Sequence, residues 1–174
     1  MDELGRLSKS AFQHADKMPI AVVLENVRSM HNVGSVFRTA DAFLVNKIYL
    51  CGYTPKPPHR DIQKTALGAT DTVAWEGVTM IGDAIQQLKQ DGYKVYAVEQ
   101  VHGSISLEHF NIEVPHPIAL VFGNEAEGVD PETLALCDGC IEIPQFGSKH
   151  SFNISVSAGI VLWEVYKQLK RFNS

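Results

Sequence analysis

The chain lacks any apolar run long enough to cross a membrane. No stretch of its 174 residues approaches the roughly 18 consecutive apolar residues that a spanning helix needs. Residues 1–4 begin acidic, and the basic-then-apolar layout of a secretory signal is missing. With 45% hydrophobic and 20% charged residues, the composition is that of an ordinary soluble protein. We therefore expect one cytoplasmic domain over residues 1–174 with no membrane partner.

Cysteine is also scarce, with three residues that cannot make a paired framework. Cys137 and Cys140 have the C-x-x-C spacing of zinc and redox sites, but neither a second pair nor a redox-fold context accompanies them. We expect Cys51, Cys137 and Cys140 to be buried thiols in a reducing cytoplasm, and we expect no metal site.

Positive charge is absent between Lys94 and Lys149, a stretch that holds nine acids. The segment from Arg28 to Lys64 contains six Lys and Arg residues and two acids. Its local net charge is therefore +4, whereas the whole chain has a net charge of −5. Because the local field matters more than the total, a basic face for a polyanion can exist here. On charge alone, a solvated surface with accidental clustering explains the pattern equally well.

The remaining pattern alternates strands with helices. Strands are predicted over residues 20–25, 47–51, 72–75, 93–98, 118–122 and 140–143. Helices are predicted from an N-cap at Asn32, over 62–67, over 79–90, from an N-cap at Asp130, and over 154–169, while residues 1–18 form a short, loosely helical extension. This order predicts an α/β fold with a mostly parallel sheet and helices on both faces. Ligands of such folds bind beyond the carboxyl ends of strands, here after Glu25, Val98, Phe122 and Ile143.

The first segment that contains candidate functional residues covers residues 32–40 and reads N-V-G-S-V-F-R-T-A. Gly34 keeps the first helical turn thin, so another group can approach its backbone closely. Arg38 interrupts an otherwise apolar helix. An ion pair with Asp41 or a plain surface charge is its ordinary explanation. A contact with a phosphate or a substrate hydroxyl is its functional one.

The second segment covers residues 122–129 and reads F-G-N-E-A-E-G-V directly after a predicted buried strand. A tight turn with solvated acids is the plain explanation. Its carboxylates, Glu125 and Glu127, would repel a phosphate and suit a ligand that carries positive charge. Neither a G-x-G-x-x-G fingerprint nor a P-loop is present, so dinucleotide and nucleoside-triphosphate sites lose support.

The third segment covers residues 141–160, where a short strand stops at Pro144 and a polar loop with Gly147 follows. Ser151 and Asn153 then lie at the N-terminus of a predicted apolar helix, where capping is the ordinary role of such residues. A strand that feeds a helix through a glycine-bearing loop is a common way to build a small-molecule pocket. Because buried polar groups must be paired, we expect this turn to contact a ligand or another part of the chain.

Taken together and in this order, the three segments resemble the motifs of the SpoU/TrmH branch of the SPOUT RNA methyltransferases. They match N-x-G-x-x-x-R-T-A, then G-x-E-x-x-G, then I-P followed by S-x-N-x-S. The likeness runs from about Ile20 to Leu169. Ser35 stands where alanine is frequent and Phe152 where leucine is usual, and neither change removes a polar group that the chemistry needs.

The resemblance implies both a fold and a cofactor. Family members carry a deep C-terminal trefoil knot, here at about residues 95–172, which is a rare exception to unknotted topology. They bind S-adenosylmethionine, whose adenine is held by backbone groups of the knot loops. The positions that match this cofactor site are Val98, Glu99, Gly123, Asn124, Gly128, Ile143, Ser151 and Phe152.

The resemblance also implies the reaction, transfer of a methyl group to a ribose 2′-hydroxyl of tRNA or rRNA, with tRNA preferred. The matching catalytic residues are Arg38, Asn32, Glu125, Ser151 and Asn153. Arg38 would either take the hydroxyl proton or grip the neighbouring phosphate and orient the hydroxyl, and the sequence leaves both roles open.

Expected partners are RNA and a second copy of the chain. Salt-sensitive phosphate contacts are expected from Arg28, His31, Arg38, Arg60, Lys64 and Lys149. Family members are homodimers, and the closing helix with Val156 and Trp163 is a candidate interface. Burial of these side chains in the core of one chain is the competing explanation.

Two other functions remain open on the sequence: a catalytically silent RNA-binding protein on the same scaffold, and a small-molecule α/β enzyme of another class. The sequence also leaves the target nucleotide open among the anticodon loop, the D-loop and rRNA.

Overall fold

The computed structural model describes residues 7–149 and 151–173. Seven strands run over β1 Met18–Glu25, β2 Val45–Cys51, β3 Trp75–Val78, β4 Lys94–Val98, β5 Ile105–Ser106, β6 Ile118–Phe122 and β7 Gly139–Glu142. Six α-helices run over α1 Lys9–His14, α2 Met30–Ala42, α3 Arg60–Ala66, α4 Ile81–Gln90, α5 Pro131–Leu136 and α6 Ile154–Lys170. Short 3₁₀ turns cover Ala69–Asp71 and Arg171–Asn173. The predicted extension over 1–18 contains α1, and its residues 1–6 lie outside the described part.

The strands form one sheet in the order β3-β2-β1-β6-β4-β7-β5, and every strand pair is parallel. Alternate residues of β1 enter two different apolar clusters. Ile20, Val22 and Leu24 pack with α2 and α6, whereas Ala21 and Val23 pack with α4 on the other face. A sheet buried on both faces needs apolar residues at successive positions, as β6 also shows. The predicted parallel α/β sheet with helices on both faces is therefore confirmed.

Two predicted boundaries are wrong. Asn32 is not an N-cap, because α2 starts at Met30 and its N-cap is Ser29, whose hydroxyl accepts from the Asn32 backbone N–H at 3.2 Å. The strand predicted over 72–75 lies instead over β3, since Thr72 ends a 3₁₀ turn and donates its hydroxyl to Asp41. The two-residue β5 had no signal in the sequence. The predicted caps at Asp130 and Asn153 are confirmed.

Gly34 allows α2 and α3 to touch. A Cβ at this position would lie 2.1 Å from the Thr65 hydroxyl oxygen and 2.2 Å from the Ile62 carbonyl oxygen. The Thr65 hydroxyl also donates to the His31 carbonyl at 2.9 Å. The thin first turn expected from the sequence thus accommodates a neighbouring helix.

The expectation of three buried thiols is correct only for Cys51. All three cysteines are free, but Cys137 and Cys140 are only partly buried. Burial raises the pKa of both the Cys51 and the Cys137 thiol to about 12. Within residues 7–149 and 151–173, no helix is long and apolar enough to span a membrane, and no three His, Cys, Asp or Glu side chains are grouped to hold a metal ion.

The last helix is tied to the connection between β5 and β6 by one buried glutamine. Gln168 accepts from the Ile112 backbone N–H and donates to the Phe110 carbonyl, each at 2.7 Å. Gln168 is only 5% exposed, so its amide supplies the hydrogen bonds that water would otherwise make with these two backbone groups. Because unpaired buried backbone groups are costly, this side chain fixes how the connection lies against α6.

We predict that Gln168→Leu lowers the free energy of unfolding by about 2–4 kcal/mol, because it leaves two buried backbone groups unpaired at similar side-chain volume. Urea denaturation followed by circular dichroism measures the change. Gln87→Leu is the matched control: among the described residues the Gln87 side chain bonds only the exposed Asp91, and its loss should change stability by less than about 0.5 kcal/mol. Equal effects of the two substitutions would refute the role of Gln168.

Candidate active site

A cavity of about 510 Å³ opens at the carboxyl edge of the sheet, where parallel α/β folds bind ligands. It lies beyond the ends of β4, β6 and β7. Its lining consists of residues 98–100, 122–128, 142, 143, 145, 151–154 and 157. All eight residues predicted from the resemblance to hold the cofactor are in this lining: Val98, Glu99, Gly123, Asn124, Gly128, Ile143, Ser151 and Phe152.

Two glycines and one asparagine close the turn after β6. The backbones of Asn124 and Gly128 exchange two hydrogen bonds of 2.9 Å. A Cβ at Gly123 would lie 2.2 Å from the Gly128 carbonyl oxygen, and Gly128 has a positive φ of 75°. No larger residue fits Gly123 without moving this backbone, and the φ of Gly128 favours glycine. Glycine at both ends therefore lets the turn close tightly on its own backbone.

The buried Asn124 side chain connects three loops. Its oxygen accepts from the backbone N–H groups of Ala126 and Glu127, at 2.8 and 3.1 Å. Its nitrogen donates to the Asn26 carbonyl at 2.9 Å and to the Tyr53 hydroxyl at 2.8 Å. The turn after β6 is thereby fixed to the loops after β1 and β2. Asn124 was predicted as a cofactor residue, and its side chain also organises the site.

Glu99 performs a similar task on the other side of the turn. Its carboxylate accepts from the Val129 backbone N–H and from the Gln100 backbone N–H, both at 3.0 Å. A carboxylate that follows β4 thus holds the loop that follows β6. Both loops line the cavity, so this contact helps set its width.

Glu125 joins the second sequence segment to the first. Its carboxylate accepts from the backbone N–H groups of Arg28 and Ser29, at 2.9 and 3.0 Å. It also accepts from the Asn32 side-chain amide at 3.1 Å. Partial burial disfavours the charged carboxylate, but these three donors and the backbone N–H of Glu125 itself outweigh burial and lower the pKa of Glu125.

Asn32 and Asn153 join the first segment to the third. The Asn153 amide nitrogen donates to the Asn32 side-chain oxygen at 3.1 Å. The Asn153 oxygen caps α6 by accepting from the Ser155 N–H at 2.9 Å. One side chain therefore caps α6 and also lines the cavity, while the catalytic role of Asn153 stays a prediction. Ser151 lines the cavity and is not the cap.

The charge of the cavity is uniformly negative in its described lining. Four carboxylates contribute, those of Glu99, Glu125, Glu127 and Glu142, and the described lining contains no Lys or Arg. The site therefore disfavours a phosphate and favours a ligand that carries positive charge. Eight further lining residues were not among the predicted site residues: Gln100, Phe122, Ala126, Glu127, Glu142, Gln145, Ile154 and Ser157. All but Gln100 fall within the second and third segments, so their place in those segments was the available signal.

The sequence profile of the SpoU rRNA Methylase family matches residues 19–163. The chain belongs to this family. It is 32% identical over 160 residues to the 23S rRNA (guanosine-2'-O-)-methyltransferase RlmB of Neisseria meningitidis, covering 92% of this chain and 63% of that protein. It is 31% identical to the tRNA (guanosine(18)-2'-O)-methyltransferase of Escherichia coli, covering 86% of this chain and 63% of that one. The chain thus spans less than two thirds of either relative.

Solved structures of the SpoU family share the fold. The AdoMet-bound rRNA methyltransferase from Sinorhizobium meliloti superposes with a TM-score of 0.81 at 28% identity, over 90% of this chain and 59% of that one. The A. aeolicus TrmH/SpoU tRNA modifying enzyme gives 0.82 at 27% identity, over 95% and 82%. A structure described as "Structural insights into the 2-OH methylation of C/U34 on tRNA" gives 0.77 at 25% identity, over 88% of this chain and 99% of that one.

Arg38, the arginine of the first SpoU motif, stands apart from the hydrogen-bonded centre. It is exposed and does not line the cavity. Six residues along a helix place it about 9 Å beyond Asn32 and on another face. In the described part of the chain it has no salt bridge, and Asp41 instead accepts from Thr72. The ion pair that the sequence offered as its ordinary explanation is therefore absent.

The other residues predicted to contact RNA lie on exposed positions: Arg28, His31, Arg60, Lys64 and Lys149. Of these, Lys64 already forms a salt bridge of 2.7 Å with Asp61. The contact of α2 with α3 brings His31 next to the helix that carries Arg60 and Lys64. A predicted patch that was scattered in sequence is thus partly gathered by helix packing.

We predict that Glu125→Gln destabilises the protein by about 1 kcal/mol at pH 7, because a neutral amide accepts less strongly from the three donors. The folded-state pKa of Glu125 is lowered, so its stabilising contribution is full above the unfolded pKa of about 4.3 and is lost as pH falls through the folded value. The stability difference between wild type and variant should therefore shrink below about pH 4.3 in urea titrations.

Glu127→Gln is the matched control, since this neighbouring carboxylate makes no side-chain hydrogen bond within the described residues. Its stability difference from wild type should stay near zero at both ends of the pH range. A Glu125→Gln difference that is the same at pH 7 and below its titration range would contradict the role given to the carboxylate.

Proposed function

We propose that this chain transfers a methyl group from S-adenosylmethionine to a ribose 2′-hydroxyl of RNA, with tRNA favoured over rRNA. One observation carries the proposal: Glu125, Asn32 and Asn153 join three sequence segments into a single network beside one acid-lined cavity. The names of the SpoU relatives supply the reaction class. An RNA substrate also supports a cytoplasmic location.

The cavity fits the proposed cofactor in size and charge. Its volume of about 510 Å³ falls within the usual range for small-molecule sites. S-adenosylmethionine supplies an activated methyl group on a positively charged sulfonium, and carboxylates suit that charge. Backbone groups of the turns around Gly123 and Ile143 would hold the adenine, with Val98 and Phe152 as apolar neighbours. Ser151 and Glu99 would complete the polar lining.

Arg38 is proposed to grip the RNA phosphate next to the target ribose and so orient the hydroxyl. A guanidinium stays protonated in proteins, which disfavours proton abstraction, and its planar donors match a phosphate. The exposure of Arg38 and its lack of an acidic partner in the described chain support this anchoring role. A ribose hydroxyl is a poor nucleophile, so holding it in line with the methyl group contributes directly to rate. As the oxygen takes the methyl group, the carbon–sulfur bond would break to leave a neutral thioether, and the phosphate held by Arg38 would accept the hydroxyl proton.

A homodimer is proposed as the active form. Val156 and Trp163 on α6 are 47% and 53% exposed, so burial in the core of one chain does not explain these apolar side chains. A second copy would cover them, and it would also bring its own Arg38 toward a cavity that Arg38 does not line within one chain. We also propose that about residues 95–172 form the trefoil knot of the SpoU/TrmH enzymes, because the chain belongs to the SpoU family.

We predict that the purified protein binds S-adenosylmethionine in isothermal titration calorimetry and transfers tritiated methyl groups to small RNA from cells that lack the gene. Mapping of 2′-O-methyl sites in that RNA identifies the nucleotide. A catalytically silent RNA-binding protein would bind RNA without transfer. An enzyme of another class would show neither RNA affinity that falls with salt nor methylated RNA, and that result would refute the proposal.

We predict that Arg38→Ala lowers kcat for methyl transfer by about 100-fold or more, because the hydroxyl is no longer oriented. Arg38→Lys should remain strongly impaired, since an ammonium cannot offer paired planar donors. Cofactor affinity should stay within about twofold of wild type, and the melting curve should not shift. Arg171→Ala, another exposed arginine, is the control. Retained turnover in Arg38→Ala would reject the assignment.

A mixed dimer tests whether Arg38 acts on the partner's cavity. One protomer carries Arg38→Ala and the other carries Gly123→Ala, whose added Cβ would meet Gly128 backbone and spoil the cofactor turn. If Arg38 acts across the interface, one complete site forms and about half the activity per dimer returns. Action within one chain leaves the mixed dimer inactive.

A further inference from the structure

Tyr53 exposes much of its ring to solvent and directs its hydroxyl inward, the reverse of the usual orientation of a surface tyrosine. A tyrosine near a surface normally buries its ring and leaves its hydroxyl to water. Here the hydroxyl accepts a 2.8 Å hydrogen bond from the buried Asn124, whereas the residue is 56% exposed. The hydroxyl helps to hold Asn124, but the exposed part of the ring adds nothing to folding stability, so the fold accounts for the hydroxyl and not for the exposed ring.

The residue is fixed at its backbone as well as at its hydroxyl. The Tyr53 N–H donates to the Asn26 side-chain oxygen at 3.3 Å. Gly52, with a φ of 62°, lets this oxygen approach, because a Cβ there would lie 2.0 Å from it. A ring tethered at both ends loses little conformational entropy when a flat ligand stacks on it.

One cation, Arg28, lies beside Tyr53, and the carboxylates of Glu127 and Glu125 also act on this cation. The guanidinium of Arg28 lies beside the Tyr53 hydroxyl, and this contact is the main cause that raises the pKa of Arg28. Asn124 lines the cavity, so the ring is one hydrogen bond away from the proposed cofactor site. The exposed ring, the arginine and the cavity therefore share the carboxyl edge of the sheet.

We propose that the Tyr53 ring stacks on a nucleobase of the bound RNA at or next to the methylated nucleotide, while Arg28 contacts a neighbouring phosphate. This inference rests on the proposed function. Unstacked bases of single-stranded RNA are commonly bound on aromatic rings, and a cation beside the ring serves the backbone. A protein partner would be expected to meet a wider apolar surface than one tethered ring flanked by charge.

The test compares three substitutions, Tyr53→Leu, Tyr53→Phe and Tyr53→Trp, in methyl transfer to small RNA from cells that lack the gene. Leu removes the π-face but keeps apolar volume, and we expect it to raise KM for RNA about 5- to 100-fold. Phe and Trp keep a ring and should stay within about threefold of wild type. Affinity for S-adenosylmethionine should stay within about twofold in all three.

Tyr93→Leu is the matched control. The Tyr93 hydroxyl also accepts from an asparagine amide, that of Asn46 at 3.0 Å, but Tyr93 precedes β4 at the opposite edge of the sheet. Its loss should leave KM for RNA unchanged.

The outcomes separate the two proposals. If wild type methylates no RNA, the proposed function falls and this inference falls with it. If wild type is active but Tyr53→Leu keeps its KM, only the stacking inference is wrong. The inference is also overturned if Tyr53→Phe is as impaired as Tyr53→Leu and binds the cofactor weakly, because the hydroxyl then merely supports Asn124. A changed sedimentation coefficient of Tyr53→Leu would assign the ring to self-association instead.

Discussion

The Glu125 carboxylate accepts three hydrogen bonds from the segment that precedes and begins α2, and the rest of the site depends on this contact. The turn after β6 and the loop after β1 are more than 90 residues apart in the chain, and this carboxylate fixes their separation. Asn32 in turn accepts a hydrogen bond from Asn153, which fixes the start of α6 relative to these two loops. A carboxylate satisfied by backbone donors is stabilised in its charged form, which keeps the junction intact at neutral pH.

The sheet explains why these loops can meet. Because β6 lies between β1 and β4, the loops that follow these strands emerge side by side at one edge. Gly123 and Gly128 keep the central turn narrow enough for the neighbouring loops to close around it. Beyond the strand ends, polar side chains replace the hydrogen bonds that neighbouring strands would otherwise provide. Asn124 and Glu99 bond backbone groups that the irregular loops would otherwise leave unpaired.

Function is divided between an interior part and an exposed part of this edge. The acid-lined cavity offers backbone and carboxylates, which suits a small cation and not a nucleic acid. Exposed groups lie around the cavity. Arg28 is in the loop after β1, Tyr53 is in the loop after β2, and Arg38 lies farther along α2. In the proposed reaction the cofactor and the RNA therefore bind to surfaces of different charge. Such a separation keeps the polyanion out of the cavity while its ribose reaches the opening.

The sequence by itself determined the parallel α/β sheet, since apolar runs such as β6 predict strands covered on both faces. Strand ends also indicated the loops after Val98, Phe122 and Ile143 that line the cavity, whereas the resemblance to the SpoU/TrmH enzymes supplied ten of the lining residues. Only the tertiary structure decided how side chains pair across that edge. The local pattern predicted a capping role for Asn32 that Ser29 performs, and it offered Arg38 an ion pair with Asp41, whose carboxylate instead accepts from Thr72. Nothing in the pattern indicated that Tyr53 is tethered by Asn124. Local propensity reports the conformation of a segment, whereas these pairings depend on distances between segments that only the folded sheet sets.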